Sequence, residues 1–400
     1  MHILAVTDQH PQSLGGVQVS LRLQRNYLAR AGHQLSIVGP KLHRPHEPER
    51  GDIELPSTPI TPDREYAIFW PTQKNVRRVT EALGNQKIDV IHIQGDFWGA
   101  LLGYRLASRL NLPVVHTMHN NVDEGTRAVS KLAPIAFWFL NCWRRWVLGK
   151  TQSEQKGAWR YLASLAERAT VVVSPSAHFA AELRDHEVIG AVMVIPTGVD
   201  DNSIDEAAAS KPNRKGEVSS EQRVRMIWLG RLSHEKRVMQ FLAAVAEAQV
   251  PIEVEILGSG LLLGQVQRFL EQKDLLDVVR LRGSVSHAEA LASIAAADVL
   301  VQTSIGFETQ GMTVYEAAAL GTPSIVSDPN IADDLNLTPM WRVRDDSVHA
   351  LAETIREAAE ALHGQPLRIA QELSATFKQS QQTHRMIRVY QQVISAKVGE

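Results

Sequence analysis

The chain has 400 residues, 44% of them hydrophobic and 22% charged, with a formal net charge of -2. That length exceeds one ordinary domain and fits two of about 200 residues, each with a core of good size. The single cysteine, Cys142, excludes an internal disulfide and fits a reducing cytoplasm, and the balanced charge gives no ground for a nucleic-acid partner.

Met1 to Val6 runs straight into a strand pattern, with no basic n-region or cleavage site, so no signal peptide is read. The first strand, Ile3–Val6, is followed by Gly15-Gly16, which opens a helix ending near Ala31-Gly32-His33. Further β-branched runs follow at Leu35–Val38, Val90–Ile93, Val114–Thr117, Val171–Val173 and Val192–Ile195. Continuous apolar strands alternating with helices imply a parallel sheet covered on both faces. His119 closes the run Val115-His116-Thr117-Met118-His119 at a strand end.

Residues 127–168 hold four of the eight tryptophans: Trp138, Trp143, Trp146 and Trp159. Eight basic residues lie among them (Arg127, Lys131, Arg144, Arg145, Lys150, Lys156, Arg160 and Arg168), against Glu154 and Glu167. Tryptophan with Lys and Arg on an amphipathic helix suits an anionic lipid–water interface. A helix pair with Trp138 and Trp143 in the core is the alternative. The longest apolar run, Ala133 to Trp143, is too short to span a bilayer. Residues 1–200 carry 22 Lys+Arg against 18 Asp+Glu, and residues 201–400 carry 20 against 26, a division that fits a first half facing something anionic and fits ordinary surface variation equally well.

Residues 201–223 are polar, with Pro212 and Gly216, and read as a linker. Strands resume at Met226–Leu229, Val254–Leu257, Val279–Leu281, Val299–Val301 and Ser324–Val326. The expected organisation is an acceptor-side domain over 1–200, the linker, a donor-nucleotide domain over 224–374, and a terminal helix over 375–400 that can pack back on the first domain. Open parallel sheets bind ligands beyond the carboxyl ends of their strands. There the run Gly230-Arg231-Leu232-Ser233-His234-Glu235-Lys236 sets two cations between a strand and a helix. Arg231, by a planar fork, and Lys236, as a point charge, can neutralise a diphosphate. In Glu308-Thr309-Gln310-Gly311-Met312-Thr313-Val314-Tyr315-Glu316, Gly311 opens a helix whose free N–H groups favour an anion. Glu316 can accept from the adjacent hydroxyls of a ribose and Glu308 from those of a sugar; spacing alone fits two surface glutamates equally well. Asp333-Asp334 and Asp345-Asp346 lack the His or Cys company of a metal site.

Leu229-Gly230-Arg231, then Glu235-Lys236-Arg237, then Glu308 with Glu316 and Ala317-Ala318-Ala319-Leu320-Gly321-Thr322-Pro323, resemble glycosyltransferase family 4 in order and spacing. Gly15-Gly16, His119 and Pro196-Thr197-Gly198-Val199-Asp200 extend the resemblance over nearly the whole chain, with Thr197 where the family has asparagine. The resemblance implies a GT-B fold: two Rossmann-like α/β domains whose parallel sheets face across a cleft. It implies a retaining hexosyltransferase with no metal in its site. Arg231 and Lys236 would hold the diphosphate, and Gly311, Met312 and Thr313 would offer main-chain contacts. Glu316 would hold the ribose, Glu308 the sugar, and Gly230, Gly258 and Val285 would border the nucleotide. Gly15 and Gly16 would lie by the diphosphate and acceptor, and His119 by the transferred sugar.

GDP-mannose and UDP-glucose, in that order, are the expected donors. The acceptor is expected to be a glycolipid or lipid precursor at the inner face of the membrane, since Leu55-Pro56-Ser57-Thr58-Pro59-Ile60 resembles a segment of lipid-directed members. A GT-B sugar-nucleotide epimerase and a non-catalytic sugar-nucleotide-binding protein are the competing readings. A nicotinamide-dependent dehydrogenase lacks its glycine fingerprint after the first strand.

Overall fold

Short runs of valine, isoleucine and leucine, each ending in a glycine or polar loop, form the strands. The structure, a computed structural model, describes residues 1–13, 15–47, 49, 51–129, 132–210, 223–364 and 366–398. It divides into two units, Met1–Thr197 with Gln382–Glu400, and Gly198–Gln381.

The first unit contains β1 (His2–Thr7), β2 (Gln34–Pro40), β3 (Ile53–Leu55), β4 (Thr58–Pro59), β5 (Ala67–Ile68), β6 (Val90–Gln94), β7 (Val114–Thr117), β8 (Val171–Ser174) and β9 (Val192–Val194). Seven of these make one parallel sheet, in the order β3-β2-β1-β6-β7-β8-β9, while β4 and β5 form a small antiparallel pair. Every residue of β1 is buried, as a strand covered on both faces requires. Side-chain alternation divides its core. Leu4 and Val6 join Leu101, Leu102, Tyr161 and Leu162 on one face, and Ile3 and Ala5 join Leu21, Leu28, Met386 and Tyr390 on the other.

The second unit contains β10 (Val224–Leu229), β11 (Ile252–Leu257), β12 (Val279–Gly283), β13 (Val299–Gln302), β14 (Ser324–Val326) and β15 (Met340–Arg342), parallel in the order β12-β11-β10-β13-β14-β15. Met226 and Trp228 face one cluster, with Phe241 and Leu242; Ile227 faces the other, with Leu291 and Val314. Strand order reverses between β1 and β6 in the first unit and between β10 and β13 in the second. Such switch points are where open α/β sheets take ligands.

The polar stretch expected as a linker begins instead as a helix, Asp201–Ala209. Asp200 caps it by accepting from the Ser203 amide at 2.9 Å, and Ile204 and Ala207 are buried beside Leu291 and Ile294. Residues 211–222 of that expected linker lie outside the described residues. The terminal helix starts at Gln379 rather than near 375 and runs to Val398. Gly198 stands where main chains pack closely: a Cβ there would lie 2.5 Å from the Cα of Gln379.

Candidate active site

In the second unit, the loops at the switch point carry the residues singled out above. β10 leads into Gly230, and the main chain of Gly258 after β11 packs directly against it. A Cβ on Gly258 would lie 1.9 Å from the Gly230 carbonyl oxygen, so no larger residue fits. Arg231 is exposed. One turn of 3-10 helix, His234–Lys236, delivers Lys236, and the helix Val238–Ala248 follows. The loop after β13 is tied to this turn, because Thr303 Oγ1 donates to the Lys236 carbonyl at 2.6 Å and accepts from Trp228 Nε1 at 2.9 Å.

Glu308 lies in that loop. Lys236 Nζ is hydrogen-bonded to Glu308 Oε1, which also accepts from Ser304 Oγ at 3.1 Å. Residues 72 positions apart are therefore brought into one charged contact at the end of the sheet. Both are only partly buried, with side chains 24% and 21% exposed, so an incoming anion or hydroxyl can exchange for the contact. Gly311 caps the helix Met312–Ala319 at φ 77°, a backbone region that glycine enters without strain, and Ile331 Cδ1 would sit 2.7 Å from any Cβ added there. No side chain caps this helix, and Met312 and Thr313 occupy its open first turn.

Glu316 is one turn further along and 9% exposed. Its Oε1 lies 2.8 Å from His287 Nε2, a contact that raises the histidine pKa because the carboxylate favours the imidazolium. Val285 is half-buried in the loop before His287, and Ser259 Oγ meets Ser284 Oγ at 2.8 Å.

In the first unit, the ends of β1, β6 and β7 carry a buried polar cluster. Asp8, after β1, accepts from the amides of Asp96, Phe97 and Gly99 at 2.8, 3.1 and 2.7 Å and so caps the helix Trp98–Leu110. Burial pushes its pKa up to about 7 against those three donors. Asp96 Oδ2 accepts from the amides of His119 and Asn120 at 3.1 and 2.9 Å and from Asn120 Nδ2 at 2.7 Å, which fixes the loop after β7. His119 Nε2 donates to Gln94 Oε1 at 2.6 Å, and burial lowers the His119 pKa to about 4. The imidazole is therefore neutral, with its proton on Nε2 and a lone pair on Nδ1. Gly15 and Gly16 are exposed at the start of the helix Gly16–Arg30, where no side chain caps the first turn.

The structure thus joins Lys236 to Glu308, sets Gly230 against Gly258, and puts Gly311 at a helix start. Sequence reasoning missed His287, Gln94, Asp96 and Asp8. The Trp- and Arg-rich segment divides. Trp138 and Trp146, 67% and 70% exposed, are not core residues. Trp143 and Trp159 are half-buried against the first unit's core, and Trp159 stacks on His186. Arg144 is turned inward, 2% exposed, and donates to the Gly149 carbonyl at 2.8 Å, so it is no part of a surface charge. Lys131 lies outside the described residues. Among the described residues no helix is long and apolar enough to cross a membrane.

Two parallel-sheet units, with a basic loop and an open helix start at the switch point of the second, are the architecture of a GT-B enzyme with a place for an anionic nucleotide. Residues 14–203 match the Glycosyltransferase Family 4 model and residues 210–368 the Glycosyl transferases group 1 model. Over 370 residues the chain is 25% identical to the alpha-monoglucosyldiacylglycerol synthase of Streptococcus pneumoniae, covering 90% of this chain and 78% of that one. It is 28% identical over 253 residues to the D-inositol 3-phosphate glycosyltransferase of Paenarthrobacter aurescens, covering 60% and 56%. Among solved structures, Anabaena HepE in complex with UDP and glucose superposes with a TM-score of 0.65 at 14% identity, covering 98% of this chain and 100% of that one. The chain belongs to the family 4 glycosyltransferases and is a hexosyltransferase.

Proposed function

We propose that the enzyme moves glucose from UDP-glucose, with retention of anomeric configuration, to a hydroxyl of a diacylglycerol-type lipid at an anionic membrane surface. The observation that carries the donor half is the Lys236–Glu308 contact beside the open helix start at Gly311. It sets a cation, a hydroxyl acceptor and the open first turn of a helix within one loop pair. The preference for UDP-glucose over GDP-mannose draws on two supports: the name of the Streptococcus pneumoniae relative specifies a glucosyl lipid, and HepE has been captured with UDP-glucose. The prefix alpha in the relative's name supports retention, because an α-linked donor then gives an α-linked product. The exposed residues Ile135, Trp138, Phe139 and Trp146 support the lipid surface.

As the glycosidic C–O bond breaks, negative charge grows on the leaving phosphate. Arg231, Lys236 and the amides after Gly311 stabilise that charge more than they stabilise the ground state, which lowers the barrier. Glu308 passes from Lys236 to the sugar hydroxyls, and Glu316 from His287 to the ribose. In the first unit, neutral His119 has an Nδ1 lone pair that can accept from a sugar hydroxyl, and Gly15-Gly16 leaves main chain open to a ligand at a helix start. The departing phosphate takes the acceptor proton, so this scheme needs neither a carboxylate nucleophile nor a metal at the donor site.

The test begins with melting temperatures in UDP and in GDP. UDP at about 100 times its Kd is expected to stabilise by about 2.7 kcal/mol. Labelled glucose from UDP-glucose is then expected in diacylglycerol on mixed anionic vesicles, with Lys236→Ala lowering kcat by about 10²–10³. Stabilisation by GDP alone would move the donor to GDP-mannose. Nucleotide release without a glycolipid product would end the transfer reading.

A further inference from the structure

Away from the donor loops, three side chains of the first unit converge without a part in the chemistry above. They come from different parts of the chain: His10 from the loop after β1, His46 from the connection between β2 and β3, and Glu54 from β3. His10 Nε2 lies 3.1 Å from Glu54 Oε1, and His46 Nε2 is hydrogen-bonded to the same oxygen. The two imidazoles meet edge to face, with centroids 4.9 Å apart. All three potential ligand atoms lie within 4.8 Å of one another, and the side chains are only 5%, 8% and 20% exposed.

We propose that His10, His46 and Glu54 form a binding site for a borderline divalent cation, zinc first, which braces the loop between β1 and the Gly15-Gly16 turn. Two imidazoles and one carboxylate are a zinc donor set that leaves a fourth position for water. Zinc bonds of about 2.0–2.2 Å hold ligand atoms about 3.4 Å apart in tetrahedral geometry, a separation that the His10–Glu54 pair approaches at 3.1 Å. His46 Nδ1–H donates to the Arg44 carbonyl at 3.0 Å, which fixes the ring with Nε2 facing the site; there Nε2–H donates to Glu54, and a metal takes the place of that proton, which leaves to solvent. Arg44, a neighbouring cation, is drawn off by its pairing with Glu65.

His10 must change its tautomer. The Gln12 amide donates to its Nδ1 at 3.1 Å, so without metal its proton sits on Nε2, facing Glu54. Zinc takes the place of that proton, the proton moves to Nδ1, and the Gln12 amide loses its acceptor. The loop is otherwise tied to the 44–47 segment through Arg44 Nη2 to the Gln12 carbonyl at 2.9 Å and Gln12 Nε2 to the Glu47 carbonyl at 3.0 Å. A metal would add a bond between the same two segments that solvent does not compete for.

The experiment uses the full chain without a polyhistidine tag, stripped with chelator and titrated with Co²⁺. One equivalent is expected to give the visible ligand-field bands of a low-coordinate site, and one equivalent of Zn²⁺ to remove them and raise the melting temperature. The Gln12 amide resonance should shift with the same stoichiometry in Zn²⁺. His46→Asn and Glu54→Gln are each expected to weaken binding by more than about 100-fold, beyond what loss of an outer hydrogen-bond partner causes. His349→Asn, an exposed imidazole paired with Glu247 in the second unit, should leave binding unchanged. Absence of saturable one-to-one binding overturns the site and leaves a metal-free hydrogen-bonded clasp, as does binding that survives both ligand substitutions. If either variant fails to fold, the wild-type cobalt spectrum and the Gln12 shift decide alone. Neither readout depends on the donor or acceptor proposed above.

Discussion

His92 illustrates how one buried side chain links neighbouring elements to the site. It lies on β6, fully buried, with Tyr390 Oη 2.6 Å from Nδ1 and Thr117 Oγ1 2.7 Å from Nε2. Burial holds its pKa down at about 3, against 6.5 for the free side chain. As pH falls below about 6.5 the unfolded chain takes up a proton there, and the folded chain does not until about 3. Its contribution to stability is therefore full above 6.5 and is lost as pH falls toward 3. Wild type should accordingly lose stability relative to His92→Gln between pH 7 and pH 4.5, by denaturant titration at each pH. Titration of Asp8 is common to both proteins and cancels from the difference. A difference independent of pH would refute the shift. His92 was not legible as special, because a histidine in an apolar strand reads as an ordinary core residue. Lys236 and Glu308 were legible, because their neighbours in sequence form a recognisable run. Gln94, Asp96 and His287 escaped for a physical reason: each acts through a partner 23 or more residues away, and only the sheet order and the neighbouring helices bring the partners together.

At the scale of the element, the helix Ala133–Leu148 carries the proposed membrane contact. Ile135, Trp138, Phe139, Cys142 and Trp146 follow the three- and four-residue spacing of one helical face, and all are exposed. Phe137, Arg144 and Val147 form the buried face. Exposed Arg145 and Lys150 lie close by in sequence, and each basic residue near an anionic surface adds about 1 kcal/mol. The double variant Trp138→Ala, Trp146→Ala is expected to weaken binding to anionic vesicles about 10-fold or more. Exposed sites cost little stability on substitution, so its melting temperature should hold. Wild-type protein that fails to float with anionic vesicles at low salt would remove the membrane reading. Composition alone announced tryptophans and cations here but not their direction. The helix is apolar on nearly every side, and an arginine that bonds a carbonyl cannot be told in sequence from one that meets solvent.

On the scale of the whole molecule, the number of units was legible from the restart of strand and helix alternation after residue 223. The destination of the terminal helix was only an expectation, because an amphipathic helix does not name the sheet it covers. Met386, Val389, Tyr390 and Val393 complete the cluster made by Ile3, Ala5, Val90, Val115 and Val173. Tyr390 is among the largest fully buried side chains. Tyr390→Ala should cost about 3–5 kcal/mol, and Tyr390→Phe, which loses only the hydroxyl's bond to His92, about 1 kcal/mol. Equilibrium denaturation measures both; a Tyr390→Ala variant within about 0.5 kcal/mol of wild type, the range expected for surface changes, would show that the helix is dispensable to that core.

The same arrangement bears on synthesis. One face of the first-made sheet waits for a strip of side chains encoded some two hundred positions later, after the other unit has emerged. Until residues 386–393 leave the ribosome, Ile3, Val90 and Val173 lack part of their cover. The nascent first unit is then held in a state that invites chaperones, and a stalled or truncated product exposes an apolar sheet rather than a finished domain.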